Sequence, residues 1–126
     1  MILLDTSVMI DAFCGHRRSA PDLRRAIERG ERMLLTTLVL YEWFRGPRLE
    51  QELAAQEALF PAETALLFGP REASVAAELY RTVSRPRSRE IDLAIAACAL
   101  ITDADLWTLN VGDFRGIPGL RASRPH

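Results

Sequence analysis

Hydrophobic and polar positions along this chain fall into short blocks that predict strands followed by helices. Residues 2–4 (ILL) form an apolar run that stops at Asp5, after which apolar side chains recur at helical spacing. A second apolar run at residues 33–37 (MLLTT) ends in two threonines that can cap a helix over residues 38–45. Two strand–turn–helix units are therefore predicted in the first part of the chain.

The rest of the chain continues this alternation. Further helices are predicted over residues 21–29, 49–59, 72–83 and 90–101, and further strands at 64–68 (TALLF), 106–110 (LWTLN) and near the C-terminus. Strands that alternate with helices at this spacing favour an α/β fold with a central, mostly parallel sheet of four to five strands, flanked by helices on both faces. No repeat or long linker divides the chain, so we expect a single domain over residues 1–126.

Composition places the chain among ordinary globular proteins. Hydrophobic residues make up 48% and charged residues 26% of the 126 positions, which suits one hydrophobic core. The longest apolar run, residues 93–101, is too short to cross a bilayer, and no secretion signal is recognisable, so we expect a cytoplasmic protein. Cys14 and Cys98 stand far apart among apolar neighbours, which favours two core thiols over a disulfide or a metal pair.

The charge of the chain changes this picture only locally. The formal net charge is −1, so no overall basic field indicates a nucleic-acid partner. All 16 basic residues other than histidine are arginines, whose guanidinium groups suit bidentate contacts with phosphate. Any binding of a polyanion would therefore depend on local patches of arginine.

Four acidic residues occupy positions where a parallel sheet would gather them. Asp5 ends the first strand, Glu42 lies on the helix after the second strand, Asp92 opens the alanine-rich helix, and Asp113 follows the strand at 106–110. Ligands of such sheets bind beyond the carboxyl ends of the strands, where these acids would meet. Clustered carboxylates repel one another, so a cluster that remains ionised implies a bound cation. Oxygen ligands without paired histidine or cysteine indicate Mg²⁺ or Mn²⁺, and such a site suits phosphodiester cleavage.

Each acid also has a purely structural interpretation. Asp5 could be a helix N-cap, Glu42 an exposed helix charge, Asp92 a charge favoured at a helix N-terminus, and Asp113 a turn residue beside Gly112. Bulky apolar neighbours of Glu42 and Asp92 favour a buried site instead. The remaining candidates are interpreted as structural: solvated or capping acids at Asp11, Asp103 and Asp105, and core or interface aromatics at Tyr41, Trp43 and Phe44.

Four segments carry a resemblance to a known family. They are LLDTSVMID (residues 3–11), TTLVLYEWFRG (36–46), REIDLAIAACAL (89–100) and LWTLNVGDFRGIPGL (106–120). In this order and spacing they resemble the successive motifs of the PIN-domain ribonucleases, and specifically of the VapC-type toxins of bacterial toxin–antitoxin pairs. The resemblance spans nearly the whole chain and implies a single PIN-like domain.

The resemblance also implies roles for the four acids. Asp5, Glu42 and Asp92 match the family's metal-binding acids, and Asp113 matches a more variable fourth acid. This implies a Mg²⁺- or Mn²⁺-dependent endoribonuclease in which a metal-activated water attacks the RNA phosphodiester. It also implies a homodimer and a cognate VapB-type antitoxin, a segment of which would lie across the acidic groove and block or displace the metal.

Further residues would support that reaction. Thr6 matches the hydroxyl position beside the first acid. Asn110 matches a polar position that is sometimes acidic in relatives, which leaves open whether it or the fourth acid serves a second ion. Arg85, Arg87 and Arg89 form the densest basic cluster and are candidates for contact with RNA phosphates. A solvated loop, or a docking patch for an acidic partner segment, would explain the same cluster.

Two other functions are compatible with parts of the pattern. A phosphatase of the haloacid dehalogenase type would use a strand-ending Asp as nucleophile and a second Asp two residues later, where this chain has Ser7. A binding module that kept the fold and lost catalysis would not need all the matched acids. Metal-dependent cleavage of RNA that is abolished by Asp5→Asn would distinguish the enzyme from both.

Overall fold

The computed structural model describes residues 1–126 and contains six α-helices and a four-stranded sheet. The strands are β1 (Ile2–Leu4), β2 (Met33–Leu34), β3 (Asp105–Trp107) and β4 (Ala122–Ser123). The helices are α1 (Thr6–Phe13), α2 (Ala20–Glu28), α3 (Thr37–Arg45), α4 (Glu50–Leu59), α5 (Pro70–Thr82) and α6 (Glu90–Thr102). Two short 3₁₀ helices lie at Ala62–Thr64 and Val111–Phe114.

The sheet is parallel throughout, with strand order β2-β1-β3-β4. Leu3 of the central strand β1 lies opposite Leu34 on one side and Leu106 on the other. All three residues of β1 are buried, although successive side chains of a strand point to opposite faces of the sheet. Both faces of β1 are therefore covered, and the predicted α/β class with a parallel sheet is confirmed.

Helix α6 forms the centre of the hydrophobic core. Its residues from Leu93 to Cys98 are all buried, and most of them are alanine or other small apolar residues. Small side chains allow the close approach of helix α5 and of strand β3, both of which contact α6. Trp43 of α3 and Trp107 of β3 contribute the largest buried side chains to the same core.

Two predicted strands differ from the structure. The strand predicted at residues 64–68 is absent, since only one parallel bridge joins Leu66 to Thr36 and Leu67 is 74% exposed. Beyond Leu35 the chain turns into the start of α3. No further strand edge is therefore available for residues 64–68 to pair with. The strand predicted at residues 106–110 ends at Trp107. Thr108 N–H still donates to the carbonyl of Ser123, but the N–H groups of Leu109 and Asn110 donate to the hydroxyls of Ser7 and Thr108.

Two further predictions concern the state of the cysteines and the presence of a membrane-spanning helix. Cys14 and Cys98 are both free thiols, as expected, and Cys98 is buried in α6. Burial raises the pKa of the Cys98 thiol to about 11, which leaves it uncharged and unreactive near neutral pH. None of the helices combines the length and the apolar character that a bilayer span requires.

Candidate active site

A polar cleft of about 540 Å³ opens at the carboxyl end of β1. That is the edge of a parallel sheet at which ligands are expected. Ten residues line it, and only one of them is hydrophobic: Asp5, Thr6, Ser7, Ile10, Glu42, Arg45, Gly46, Arg48, Asp92 and Asn110. Three of the four predicted acids, together with Thr6 and Asn110, therefore meet in one cleft, although they come from four separate segments of the chain.

Asp5 is fixed at the bottom of this cleft by hydrogen bonds from two hydroxyl groups. Its backbone N–H donates to the carbonyl of Trp107 at 2.9 Å, which continues the pairing of β1 with β3. Ser7 Oγ and Thr108 Oγ1 donate to the same carboxylate oxygen, Oδ2, at 2.9 and 2.7 Å. Asp5 does occupy the N-cap position of α1, but its side chain makes no capping hydrogen bond to that helix. Oδ1 remains free of protein donors.

Glu42 approaches Asp5 from helix α3. Thr6 Oγ1 donates to Glu42 Oε1 at 2.6 Å, and this bond links the first turn of α1 to the second turn of α3. Arg45, one helical turn further along α3, approaches Glu42 Oε2 at 3.5 Å and partly offsets its charge. The Glu42 side chain is only 20% exposed, so it is not the solvated helix charge of the structural alternative.

Asp92 lies in the first turn of α6 and is half-buried. Burial, followed by the negative charges of Asp5, Asp113 and Glu42 in that order of importance, raises the pKa of its carboxyl from 3.8 to about 6. Arg89 opposes these effects without cancelling them. Repulsion among all four acids thus acts on one carboxyl group, which shows that the fold concentrates negative charge at the cleft.

Asn110 and Asp113 lie at different distances from the cleft. Asn110 follows β3 and lines the cleft directly. Asp113 is exposed on the 3₁₀ helix Val111–Phe114 and is not part of the lining, although its charge reaches Asp92. The backbone carbonyl of Asp113 accepts hydrogen bonds from Arg89 Nε and Nη2 at 3.2 and 2.9 Å. These bonds attach the 3₁₀ helix to the start of α6.

The chemistry of this donor set fits a hard divalent cation. The available ligands are carboxylate and hydroxyl oxygens, and the free Oδ1 of Asp5 adds an unused acceptor beside the repelling acids. The spacing is wider than that of a formed site, since no three acidic, histidine or cysteine side chains stand close enough to hold one ion together. The side chains would therefore have to move inward on binding.

The arginine cluster before α6 lies outside the cleft. Arg85 and Arg87 are exposed in the loop between α5 and α6, and neither lines the acidic cleft. Arg89 donates to the carbonyls of Ser84, Asp113 and Arg115, so its guanidinium braces the backbone. The arginines that do line the cleft are Arg45 and Arg48, which sequence reasoning missed.

The sequence did contain a signal for one of these two cleft arginines. Arg45 follows Glu42 by three positions, so both side chains share one face of a helix. Arg48 lies beyond the end of α3, where helical spacing no longer predicts its direction. The two hydroxyls on Asp5, from Ser7 and Thr108, were also missed because the pattern of residues does not say which polar side chains face one another across strands.

Comparisons with known proteins agree with the fold and the motif order. Residues 2–119 match the family model described as the PIN domain. The chain is 37% identical over 124 residues to "Ribonuclease VapC19" of Mycobacterium tuberculosis, covering 96% of this chain and 98% of that protein. The same protein from a second strain of the species matches equally.

Solved structures show the same architecture. A toxin–antitoxin complex from Klebsiella pneumoniae superposes with a TM-score of 0.74 at 25% identity, covering 100% of this chain and 98% of that one. VapBC2 from Rickettsia felis, bound to a DNA fragment from its promoter, gives a TM-score of 0.74 at 21% identity, covering 98% of both chains. At that lower identity the likeness concerns the fold alone.

Proposed function

The chain belongs to the PIN-domain family, and from this premise we propose that it is an endoribonuclease toxin of the VapC type. The observation that carries the proposal is the convergence of acids on one cleft, expressed in the raised pKa of Asp92. The identity to a VapC ribonuclease over nearly the full length of both chains supports the same activity. The substrate would be RNA, cleaved at a phosphodiester bond within the strand.

The proposal includes a Mg²⁺ or Mn²⁺ ion held by Asp5, Glu42 and Asp92, with Asp113 or Asn110 near a second position. When bound, such an ion supplies the Lewis acidity that helps water attack a phosphodiester. Ser7 and Thr108 would hold one oxygen of Asp5 so that Oδ1 faces the cleft. Thr6 would orient Glu42 in the same way. Positive charge that enters the cleft would lower the pKa of Asp92 again and favour its ionised form.

The proposed partners are RNA, a VapB-type antitoxin and a second copy of the chain. Toxin–antitoxin complexes among the structural neighbours support the antitoxin, and a segment of it would lie across the acidic groove. Two apolar hollows, near Phe13 and Ile27 and near Phe68 and Tyr80, offer surfaces for these protein contacts. The proposed location is the cytoplasm, where RNA and antitoxin would both be met.

The rival functions make different demands on the same residues. The phosphatase would need an acid at position 7, but Ser7 occupies it and donates a hydrogen bond to Asp5. A silent binding module would bind RNA or antitoxin without cleavage. The wide spacing of the acids would support the binding module. A bound ion would draw these side chains closer together.

Cleavage of total bacterial RNA by the purified protein tests the proposal. We expect cleavage with Mg²⁺ or Mn²⁺, none with EDTA, and a loss of about a hundredfold or more in Asp5→Asn. Asp11→Asn is the matched control, since Asp11 lies on α1, the helix that Asp5 precedes, and accepts a hydrogen bond from Ser19 at 2.6 Å outside the cleft. Equal cleavage by wild type and Asp5→Asn would reject this active site, and RNA binding without cleavage in wild type would favour the binding module.

A further inference from the structure

Arg48 lies on the wall of the acidic cleft with its guanidinium group held in place by the core. Its Cζ atom lies 4.3 Å from the centroid of the Trp43 ring, and Trp43 is fully buried in α3. Stacking on an aromatic face fixes the plane of the guanidinium and costs it rotational freedom. The side chain is thus preorganised, unlike most surface arginines.

Gly46 leaves the space that this arrangement requires. A Cβ atom at position 46 would lie 2.7 Å from Arg48 Nη2 and 3.0 Å from Cζ, closer than van der Waals contact allows. The backbone of Gly46 has φ −85° and ψ 166°, a conformation that any residue adopts. Glycine at this position therefore leaves the room in which the Arg48 guanidinium lies, and a methyl group there would displace that guanidinium.

The hydrogen-bonding capacity of Arg48 is largely unused. Nη1 donates to the carbonyl of Pro47 at 3.1 Å, and no carboxylate forms an ion pair with the group. Nε is buried and has no acceptor. The two terminal nitrogens of an arginine, Nη1 and Nη2, also offer N–H groups side by side, which match two oxygens of a phosphate. The buried Nε is closed to a ligand in the cleft, whereas Nη2 is accessible and free to donate to one.

The other arginine on the cleft wall, Arg45, already contacts a carboxylate and an aromatic ring. Arg45 faces Glu42 at 3.5 Å, and its guanidinium lies 5.3 Å from the ring centroid of Tyr41, which is exposed. A polyanionic substrate entering this cleft would meet repulsion from the acids. Arg48 is the wall residue whose charge is not already shared with a carboxylate at ion-pair distance.

We propose that Arg48 is a substrate-binding residue that holds a backbone phosphate of RNA on its terminal nitrogens Nη1 and Nη2, with Trp43 and Gly46 as positioning residues. The inference rests on the proposed ribonuclease function and adds a contact to it. The phosphate would lie beside the acids, since Arg48, Asp5 and Asp92 line the same cleft. Arginine would be needed there for its geometry as well as for its charge.

Two substitutions test this contact by different routes. Arg48→Lys keeps the positive charge and removes the bidentate edge, and Gly46→Ala keeps Arg48 and displaces it with a methyl group. The probe is a fluorescein-labelled single-stranded RNA of mixed sequence, with anisotropy measured in EDTA and cleavage measured with Mg²⁺. We expect both variants to bind RNA about tenfold more weakly and to raise KM, with kcat within about twofold of wild type. Arg71→Lys, on an exposed residue outside the cleft, should match wild type.

Wild-type RNA affinity and KM in Arg48→Lys would overturn the inference, and so would wild-type values in Gly46→Ala with a correctly folded chain. Circular dichroism and the melting temperature establish folding of each variant. Failure of the ribonuclease proposal would look different, since wild type would then leave RNA intact or Asp5→Asn would cleave it. In that case the anisotropy series still measures whether Arg48 contacts a phosphate backbone.

Discussion

At the scale of single residues, hydroxyl groups determine how the acids of the cleft are presented. Ser7 and Thr108 donate to one oxygen of Asp5, and Thr6 donates to Glu42. Hydrogen bonds from hydroxyls stabilise the ionised form of a carboxylate and fix its rotamer. Asp92 has no side-chain donor of this kind, and its pKa is the one that burial and repulsion raise to about 6.

The raised pKa of Asp92 predicts how the ion-free protein responds to pH. Because the folded-state value of about 6 exceeds the ordinary 3.8, Asp92 favours folding most below about pH 4, and this contribution is lost as pH rises through 6. Asp92→Asn removes the repelling charge, so at pH 8 in EDTA it should be more stable than wild type by about 1 kcal/mol, a rise in melting temperature of about 3 °C. At pH 4 the two should melt at nearly the same temperature.

Thermal unfolding at both pH values, followed by circular dichroism, measures this difference. Asp22→Asn is a suitable control, since Asp22 pairs with Arg25 on α2 away from the cleft. A variant that melts below wild type at pH 8 would contradict the predicted repulsion at the acidic cleft. RNA cleavage by Asp92→Asn should fall even as its stability rises. This is common for active-site residues that destabilise the folded protein.

At the scale of elements, helix α3 joins the cleft to the core. Thr36 begins the helix, is fully buried, and accepts a hydrogen bond from Val39 N–H at 3.2 Å through its side chain. In its second turn the helix presents Glu42 to the cleft and Trp43 to the core. The predicted capping threonines at the end of β2 are confirmed at this position, where a hydroxyl replaces the missing helical acceptor.

Loss of that cap should weaken the whole fold. Thr36→Ala removes the bond to the helix and leaves a small cavity, so we expect the free energy of unfolding to fall by about 1–2 kcal/mol. Thr36→Ser keeps the hydroxyl and should lose less. Urea denaturation in EDTA measures both, and equal stability of the serine and alanine variants would show that the hydrogen bond contributes nothing.

At the scale of the whole molecule, the fold brings together charges that destabilise it. The acids that line the cleft come from the end of β1, from α3 and from the start of α6, and Asn110 comes from the chain after β3. Only the closure of the parallel sheet brings these segments together. A cation that binds the folded chain but not the unfolded chain would stabilise the fold and offset part of this repulsion. Metal binding and folding should therefore be coupled.

This coupling can be measured without any RNA. Mn²⁺ or Mg²⁺ at a hundredfold excess over its Kd should add about 2.7 kcal/mol to the free energy of unfolding, and the melting temperature should rise with metal concentration. Asp5→Asn should lose most of this rise, and NaCl at matched ionic strength serves as the control for screening. A melting temperature that metal leaves unchanged in wild type would argue against a metal site in this cleft.

Much of the fold could be predicted because it depends on neighbours along the chain. Apolar runs, helical periodicity and caps are local properties, so β1, α1, α3 and α6 lie within a few residues of their predicted positions. The segment 64–68 has the composition of a strand but forms one bridge to Thr36. This segment does not form the predicted strand because a strand also needs a neighbouring strand edge to pair with. No local pattern of residues reveals whether such an edge is present.

The sequence by itself determined the class of fold, the order of its elements and the four acids that the PIN-domain resemblance singled out. Tertiary structure alone decided that Thr108 bonds Asp5 across 103 positions of the chain, that Thr6 bonds Glu42 across 36, and that Arg48 lies on Trp43 with Nη2 unpaired. Periodicity and capping act between near neighbours, whereas these contacts join distant segments. Their geometry exists only after the sheet and helices have packed.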